Sequence, residues 1–435
     1  MASESNAAQP QSLDNDRISK GDHRKLGQKL GLIALDPAVG KGLPLWLPNG
    51  TVIRDELEKL ARELEFKAGF QRVATPHLAR TDLYRASGHL PYFAPDMYPL
   101  IEVLEEGDAG DESVKDAYAL RPMNCPHHHR VFAAEPRSYR DLPLRFAEYG
   151  QVYRWERSGA LSGLARVRGM CMNDGHIYCT AEQVEQELNA VLDMYADVYA
   201  LLGIDGARFR LSRRDPADAR GKYVDDDESW DWAEALLRRV LDERGLRYDD
   251  GLGHAAFYGP KIDIQVRTLG GTEETLSTVQ VDFAQPKRLG LEYMASSGQP
   301  AVPFCIHRAP LSTHERFVAF LAELYGGAFP TWLAPVQLCV VPVSDAQRGY
   351  AERIVQRLRA QLVRAVVAPS GDSVAGAVRD AAERKLPNVA VVGKREEAAG
   401  TASQRLHGSD RHTVLAVDEL ERRLLDSIAR RGKTL

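Results

Sequence analysis

The sequence has no apolar run that approaches the ~18 residues of a membrane span, and this absence argues against a membrane-spanning helix. Residues 1–21 are polar and lack an apolar core, so they are not a secretory signal and are predicted to form a disordered tail. Cysteine is scarce, with five residues at irregular spacings. An odd, unpatterned set of this kind argues against a disulfide framework and favours a reducing, cytoplasmic location.

The chain as a whole has no excess of positive charge. The formal net charge of the 435 residues is −5, which by itself argues against a nucleic-acid partner. The charge is uneven, however, because residues 333–435 contain 17 Lys and Arg against 12 Asp and Glu. This stretch therefore carries about +5 and leaves about −10 for the rest of the chain. A basic C-terminal region permits, without requiring, the binding of a polyanion there.

The spacings C-x-x-C and H-E-x-x-H, which mark many metal sites, are absent. Metal-ligand residue types are nevertheless concentrated between residues 120 and 179. Cys125 precedes three consecutive histidines, and His176 follows Asp174 by two residues. The arginines between them include Arg154, Arg166 and Arg168. A cysteine alone is usually a small buried hydrophobe. Together, these residues suggest a site that holds a small polar molecule beside a phosphate.

Ordered short motifs extend this signal along the chain. They are Met123-Asn124-Cys125-Pro126, Arg166-Val167-Arg168-Gly169, Asp174-Gly175-His176-Ile177, Ala256-Phe257-Tyr258-Gly259-Pro260-Lys261, Thr278-Val279-Gln280-Val281-Asp282-Phe283, His307-Arg308-Ala309 and Glu315-Arg316-Phe317. This set resembles the threonyl-tRNA synthetase family of class II aminoacyl-tRNA synthetases. The likeness runs from about Asp22 to near the C-terminus.

The resemblance implies an α+β catalytic domain over residues 22–332, in which helices flank an antiparallel sheet. A small α/β domain that resembles an anticodon-binding domain is expected over residues 333–435, where strands alternate with helices. The family usually carries an N-terminal domain and an editing domain before the point that matches Asp22. The chain is therefore interpreted as a truncated form without either domain.

Hydrophobic periodicity predicts a helix from Thr51 to Ala68. One apolar stripe follows a 3.6-residue period along it: Ile53, Leu57, Leu60 and Leu64. Gly69 can end this helix, and a short strand and Pro76 follow. Helix, strand and proline in this order resemble the first class II motif, which forms the dimer interface in the family. A homodimer through the region near Pro76 is therefore implied by the resemblance.

The implied reaction has two steps, in which ATP and L-threonine give threonyl-adenylate and the threonyl group then passes to the 3′ end of tRNA(Thr). The chain is thus expected to be an ATP-dependent, AMP-forming threonine–tRNA ligase, with Mg²⁺ bridging the ATP phosphates. Three residues match the family's catalytic positions: Arg154, Arg316 and Lys261. Four match nucleotide-binding positions: Glu156, Met170, Gln280 and Arg316.

The resemblance also implies one Zn²⁺ per subunit. Its ligands would be Cys125, His176 and His307, which leaves a coordination position for the amino and hydroxyl groups of threonine. Residues implied to line the threonine pocket are Met123, Asp174, Tyr258 and Gln280. His127, His128 and His129 are interpreted as surface residues or as neighbours of the ligands, because the family fills its metal site without them.

Several positions depart from the family pattern. Met170 replaces an adenine-stacking phenylalanine, and three other substitutions lie near the nucleotide: Met172, Thr275 and Ser312. Residues 367–377 are poor in charged groups that would read anticodon bases. These departures keep two alternatives open. One is a threonine-adenylating paralogue that acylates a non-tRNA acceptor such as a carrier protein, and the other is a non-enzymatic sensor.

Overall fold

The computed structural model describes residues 21–106, 112–218 and 221–432. Of the predicted tail, residues 1–20 lie outside the described residues. Within the described part, no helix combines the length and the apolar character needed to span a membrane. The described residues form two compact units, each made of several stretches of the chain. The larger unit comprises residues 35–44 and 58–317, and the smaller unit comprises residues 21–34, 45–57 and 318–432.

The secondary structure is numbered here in chain order. The strands are β1 (Ile33–Ala34), β2 (Leu45–Trp46), β3 (Gln71–Arg72), β4 (Leu78–Arg80), β5 (Ile101–Glu106), β6 (Glu112–Leu120), β7 (Leu144–Tyr153), β8 (Gly169–Cys179), β9 (Arg208–Arg213), β10 (Tyr248–Leu252), β11 (Lys261–Arg267), β12 (Glu273–Asp282), β13 (Tyr293–Met294), β14 (Pro300–Ala301), β15 (Phe304–Ala309), β16 (Leu338–Pro342), β17 (Ala365–Val367), β18 (Asn388–Val392), β19 (Thr401–Leu406) and β20 (His412–Ala416).

The helices are α1 (His23–Lys29), α2 (Pro48–Lys67), α3 (Thr81–Ala86), α4 (His89–Phe93), α5 (Cys125–Phe132), α6 (Val184–Leu202), α7 (Asp227–Glu243), α8 (Gln285–Arg288), α9 (His314–Leu324), α10 (Arg348–Ala360), α11 (Val374–Glu383), α12 (Lys394–Ala399) and α13 (Val417–Ala429). Short 3₁₀ helices lie at Ala94–Asp96, Tyr139–Asp141, Ser158–Ala160, Ala181–Gln183 and Asp345–Gln347.

An eight-stranded sheet organises the larger unit, in the order β10-β9-β11-β12-β15-β8-β7-β3. Neighbours from β9 to β7 run antiparallel, and only the two edge pairs, β10 with β9 and β3 with β7, are parallel. Helix α6 packs an apolar face against this sheet, and its Tyr195 hydroxyl donates to the Thr278 carbonyl of β12 at 2.6 Å. The predicted antiparallel sheet with flanking helices is therefore confirmed.

The register of this sheet brings distant residues into one row. His176 of β8 lies opposite Phe146 of β7 and opposite His307 of β15. His307 lies in turn opposite Gln280 of β12, and Gln280 opposite Lys261 of β11. Directly opposite residues of an antiparallel pair point to the same face, with Cβ atoms about 4.5–5.5 Å apart. Four of these five residues were predicted to belong to the site.

The smaller unit contains a five-stranded sheet in the order β17-β16-β18-β19-β20. The first three strands are parallel and the last two antiparallel. Buried clusters on this sheet include residues of α10 and α13 in one case and of α11 in the other. This arrangement confirms the expected α/β character, whereas the boundary at residues 332 and 333 stays a prediction.

Candidate active site

A cavity of about 810 Å³ lies in the larger unit. Most of the predicted site residues line it: Met123, Cys125, Arg154, Asp174, Tyr258, Lys261, Gln280, His307 and Arg316. Three of the positions that depart from the family pattern line it as well: Met172, Thr275 and Ser312. Residues from four strands, β8, β11, β12 and β15, and from several helices and loops thus converge on one cavity with a few polar groups, which is the usual form of a ligand site.

Cys125, His176 and His307 come together beside this cavity. Each offers one ligand atom, and these atoms lie within 4.8 Å of one another, although 182 residues separate the first from the last. All three side chains are buried. Nε2 of His176 lies 3.0 Å from Nδ1 of His307. Two nitrogens and a sulfur in a closed group form a donor set that suits Zn²⁺.

The remaining ring nitrogens of these histidines have partners of their own. Nε2 of His307 lies 2.9 Å from a carboxylate oxygen of Asp282. Nδ1 of His176 lies 2.8 Å from Nδ1 of His128, whose Nε2 lies 3.0 Å from Glu148. Partners at the outer nitrogen fix the orientation and tautomer of a metal-ligating histidine. The donor set and its surroundings therefore fit a metal ion.

Burial sets the protonation of this group. Burial lowers the pKa of His176 well below its ordinary value, and the positive charges that His307 and His128 would carry lower it further. The imidazole is accordingly neutral, which is the form that binds a metal. Burial raises the pKa of the Cys125 thiol well above its ordinary value, as do the carboxylates of Asp174 and Asp282. A cation at the site would favour the thiolate.

The wall next to the ligand group carries polar groups at hydrogen-bonding distance. Asp174 is buried, and its Oδ2 accepts from the Asn124 side-chain amide at 3.1 Å. The Tyr258 hydroxyl donates to Oε1 of Gln280 at 2.5 Å, and the Tyr258 ring stacks on His307 with centroids 4.9 Å apart. A carboxylate and an amide held in this way can recognise a small hydroxyl-bearing molecule.

Two arginines that line the cavity, Arg154 and Arg316, give it positive charge. Arg154 donates to the Pro122 carbonyl at 3.1 Å, and Arg316 donates to the Ala165 and Thr275 carbonyls at 3.3 and 3.2 Å. Within the described residues, neither forms an ion pair. Burial lowers the pKa of Arg154, and the charge of Arg316 lowers it further. Guanidinium groups without carboxylate partners favour an anionic ligand such as a phosphate.

Lys261 also lies at the cavity, where its Nζ donates to Asp263 at 3.0 Å. The carboxylate of Asp263 is fully buried and accepts from the Ser212 hydroxyl at 2.7 Å. Burial by itself would raise the pKa of Asp263, but the charge of Lys261 and these hydrogen bonds outweigh it and lower the pKa. The ammonium group is thereby held at the cavity wall.

Two predicted nucleotide-binding residues do not line the cavity. Glu156 accepts from Arg166 at 3.0 Å, and its carbonyl accepts from Arg168 at 2.9 Å. Met170 is buried in a small cluster with Val152 and Val167. The structure therefore places both residues beside the site rather than on its wall, and their nucleotide contacts stay predictions.

Sequence reasoning missed several residues around the ligand group. The structure buries His127, His128 and His129, so the surface alternative is wrong. The alternative of neighbours to the ligands holds for His128 and His129, whose rings contact His176. Their burial follows from α5, which runs inward from Cys125 and packs its apolar side into a core cluster through Phe132. His89 was not singled out, yet its Nε2 lies 3.6 Å from the Cys125 sulfur and 3.2 Å from the Met123 sulfur.

Comparison with known proteins agrees with this geometry. Residues 105–325 match the tRNA synthetase class II core domain (G, H, P, S and T), and residues 337–427 match the anticodon binding domain. The chain is 46% identical over 413 residues to threonine–tRNA ligase of Streptococcus gordonii and 45% identical over 409 residues to that of Levilactobacillus brevis. These matches cover 95% and 94% of the chain but 62% of each relative.

A solved structure gives the same result. The RNA binding domain of threonyl-tRNA synthetase from Cryptosporidium parvum superimposes with a TM-score of 0.85 at 31% identity. This likeness covers 93% of the chain and 98% of that domain. Fold, site geometry and sequence identity thus agree, and the chain belongs to the threonyl-tRNA synthetase family of the class II tRNA synthetases.

Proposed function

We propose that this protein is a threonine–tRNA ligase that activates L-threonine with ATP and transfers it to the 3′ end of tRNA(Thr). The observation that carries the proposal is one cavity that joins a Cys-His-His group and Asp174 to two arginines without carboxylate partners. The first part suits an amino acid with a hydroxyl group, and the second suits the phosphates of ATP. Family membership supports the reaction itself.

The side chains of the cavity have distinct tasks in the first step. The threonine carboxylate attacks the α-phosphate of ATP, and pyrophosphate leaves. Arg154 and Arg316 hold the phosphates in line and neutralise the charge that develops on them. Lys261 adds a positive charge near the reacting carboxylate. Mg²⁺ bound together with ATP would supply further positive charge to the phosphates. In the second step a ribose hydroxyl of tRNA attacks the threonyl carbonyl, and AMP leaves.

Selection of threonine depends on its hydroxyl group. A zinc ion held by Cys125, His176 and His307 would supply an open position for the substrate's amino and hydroxyl groups. Asp174 accepts the hydroxyl proton, while Tyr258, Gln280 and Met123 shape the pocket around the side chain. A site built around a hydroxyl rejects an analogue without it by about 10⁴–10⁵, whereas an apolar pocket achieves about 10². Valine is therefore rejected because it has no hydroxyl group to donate to Asp174.

Exposed residues and family membership support the proposals for the remaining partners. Pro76 is exposed, and large apolar side chains near it in sequence are exposed too, among them Phe66 at 82% and Leu78 at 43%. Exposed apolar side chains of this kind support a homodimer interface in this region. Residues 333–435 would bind the anticodon part of tRNA. The catalytic domain at 22–332 and the cytoplasmic location stay predictions.

Charging of total tRNA by the purified chain, with Zn²⁺ and Mg²⁺ present, tests the proposal. Formation of threonyl-tRNA, with a Arg154→Lys variant as the impaired control, would support it. Threonine-dependent exchange of pyrophosphate into ATP without transfer to tRNA would refute the tRNA step and favour the carrier-acylating paralogue. The charge-poor, exposed loop at residues 369–373 is the observation that keeps this alternative open. Absence of exchange would refute an adenylating enzyme altogether.

A further inference from the structure

A second group of metal-ligand side chains lies next to the first in the larger unit. His129, Cys305 and His307 each offer one ligand atom, and these atoms lie within 4.8 Å of one another. All three side chains are buried, two of them completely. We call them the inner set, and Cys125, His176 and His307 the outer set. The proposed function uses neither His129 nor Cys305.

Among the inner set, His129 gives the strongest evidence for metal binding. Its Nδ1 lies 3.0 Å from the Tyr178 hydroxyl, which fixes the ring. Its Nε2 is buried and has no hydrogen-bond partner within the described residues. A buried polar atom left without a partner destabilises the folded protein. With Nδ1 donating to Tyr178, the Nε2 lone pair is free, which is the arrangement of a histidine that ligates a metal.

The sheet places the Cys305 sulfur on the same face as the Tyr178 and His307 side chains. Cys305 lies directly opposite Tyr178 in the register of β15 and β8, and two residues before His307 on β15. Residues at i and i+2 of a strand, and residues directly opposite, share one face. The thiol, the Tyr178 hydroxyl and the His307 ring therefore lie on one face of the sheet, under α5 with its His129.

The two sets differ in their access to substrate. The cavity lining includes Cys125 and His307 but, among the described residues, neither His129 nor Cys305. His129 and Cys305 accordingly lie behind the cavity wall, whereas His307 is part of it. His307 is common to both sets, and its Nε2 is engaged by Asp282, which leaves one nitrogen for an ion.

We propose that His129, Cys305 and His307 form a second, inner position for a borderline-soft divalent cation such as Zn²⁺, which the chain holds alternately with the outer position. Two imidazole nitrogens and one thiolate are the same donor types in both sets, so the same ion suits both. One shared histidine nitrogen limits occupancy to one ion per chain. An ion at the inner position is retained by the protein but withheld from the substrate. The inference requires metal binding only and does not depend on the tRNA reaction.

Cobalt substitution of the purified full chain tests the inner position. Thiolate-to-cobalt charge transfer reports a bound cysteine, and elemental analysis gives the ion count. We expect wild type to bind one Co²⁺ with a charge-transfer band. Cys125→Ser should keep both the ion and the band through Cys305. The double variant Cys125→Ser/Cys305→Ser should lose the band, and Cys125→Ser/His129→Gln should bind more weakly. Cys179→Ser, a buried thiol outside both sets, is the matched control.

The outcomes separate the two positions. Loss of the band in a folded Cys125→Ser protein would refute the inner position and leave the outer one standing. Wild type without any bound ion would refute both. If Cys125→Ser does not fold, ion loss to a chelator is compared between Cys305→Ser and Cys179→Ser. A loss about tenfold faster in Cys305→Ser would support recapture at the inner position, because losing a group that supports a metal site typically costs 10–100-fold. Equal rates would refute it.

Discussion

Nε2 of His176 lies 3.0 Å from Nδ1 of His307, across the neighbouring strands β8 and β15. Both rings are buried, and the other nitrogen of each faces a partner, Asp282 for His307 and His128 for His176. Two inward-facing imidazole nitrogens can share one proton or bind one cation between them. The nearby Cys125 sulfur favours the cation.

Removal of the proposed zinc ion should destabilise the protein. A ligand that binds only the folded state at 100 times its Kd adds about 2.7 kcal/mol to the free energy of unfolding. A zinc chelator should therefore lower the Tm of wild type, and restored Zn²⁺ should raise it again, in a scanning fluorimetry experiment. His307→Ala removes the histidine common to both sets and should abolish the response. His412→Ala, on an exposed position of β20, should respond as wild type does.

Replacing Asp282 should weaken the metal site without removing a ligand. Asp282→Asn keeps an oxygen that can accept from the Ala284 and Gln285 backbone amides, as Oδ1 of Asp282 does at 2.9 Å. The substitution replaces the carboxylate that accepts from Nε2 of His307 with an amide. Loss of such a carboxylate typically costs 10–100-fold in metal affinity. Zinc titration against a competing chelator measures this. Unchanged affinity, with the exposed variant Asp249→Asn as the control, would contradict the role given to Asp282.

Substitution of Arg154 should impair adenylation. Lysine keeps the positive charge but loses the planar fork that grips a phosphate. Hydrogen bonds to charged groups contribute about 1.5–3 kcal/mol, so kcat/KM for ATP in pyrophosphate exchange should fall by roughly 10–100-fold in Arg154→Lys. Arg157→Lys alters an exposed arginine on the following loop and should retain wild-type kinetics. A similar loss in both variants would indicate a general effect on the loop.

The pH dependence of stability should contain a contribution from Glu148. Burial alone would raise its pKa, but the hydrogen bond from His128 and the charge of Arg121 outweigh it and lower the pKa to about 2, from an ordinary 4.5. Because the folded-state pKa is depressed, the stabilisation is present above pH ~4.5 and is lost as pH falls towards 2. This contribution of Glu148 to the free energy of unfolding is on the order of 3 kcal/mol.

Urea unfolding of Glu148→Gln between pH 2 and 7 measures this contribution. The variant should show a shallower fall in stability over that window. It should also be less stable at pH 7 by about 3–5 kcal/mol, because Arg121, 1% exposed, loses its buried partner. A variant with the wild-type slope would show that Glu148 titrates normally in the folded protein.

The 435-residue chain, purified by itself, should attach serine to tRNA as well as threonine. Serine has the hydroxyl and amino groups that Asp174 and the metal position recognise, and it lacks only a methyl group. A difference of this size provides about 1–3 kcal/mol, or 10–200-fold. Parallel charging with labelled threonine and serine measures the ratio. Undetectable seryl-tRNA at enzyme levels that charge threonine fully would contradict the expectation.

Periodic elements were predictable because their apolar stripe is local. The helix predicted from Thr51 to Ala68 is observed as α2, with Ile53, Leu57 and Leu60 buried, and Gly69 follows it at φ 77°. The start is earlier than predicted, because Pro48 fits the first helical turn, where its missing amide hydrogen is not needed. The strand–helix alternation of the C-terminal region is likewise observed.

Two kinds of structural feature were not predicted from the sequence. Strands β19 and β20 and the short helix α12 were not predicted, since polar residues alternate in β19 and α12 has only six residues. The partners of the metal ligands were also missed. Asp282 and Glu148 contact the histidines through sheet register and helix packing, and neither has a local sequence pattern. Cys125, His176 and His307 were predicted as metal ligands only through the resemblance to a family, and that role stays a prediction.

The spacing of the outer set along the chain has a consequence for protein synthesis. Cys125 leaves the ribosome 182 residues before His307, which at about 5–20 residues per second corresponds to roughly 10–40 s. During this interval the nascent chain carries a thiol and imidazoles but no complete metal site, because β15 has not yet joined β8. The proposed outer set is complete only after residue 307 has been made, so full capture of an ion there requires that β15 has joined β8.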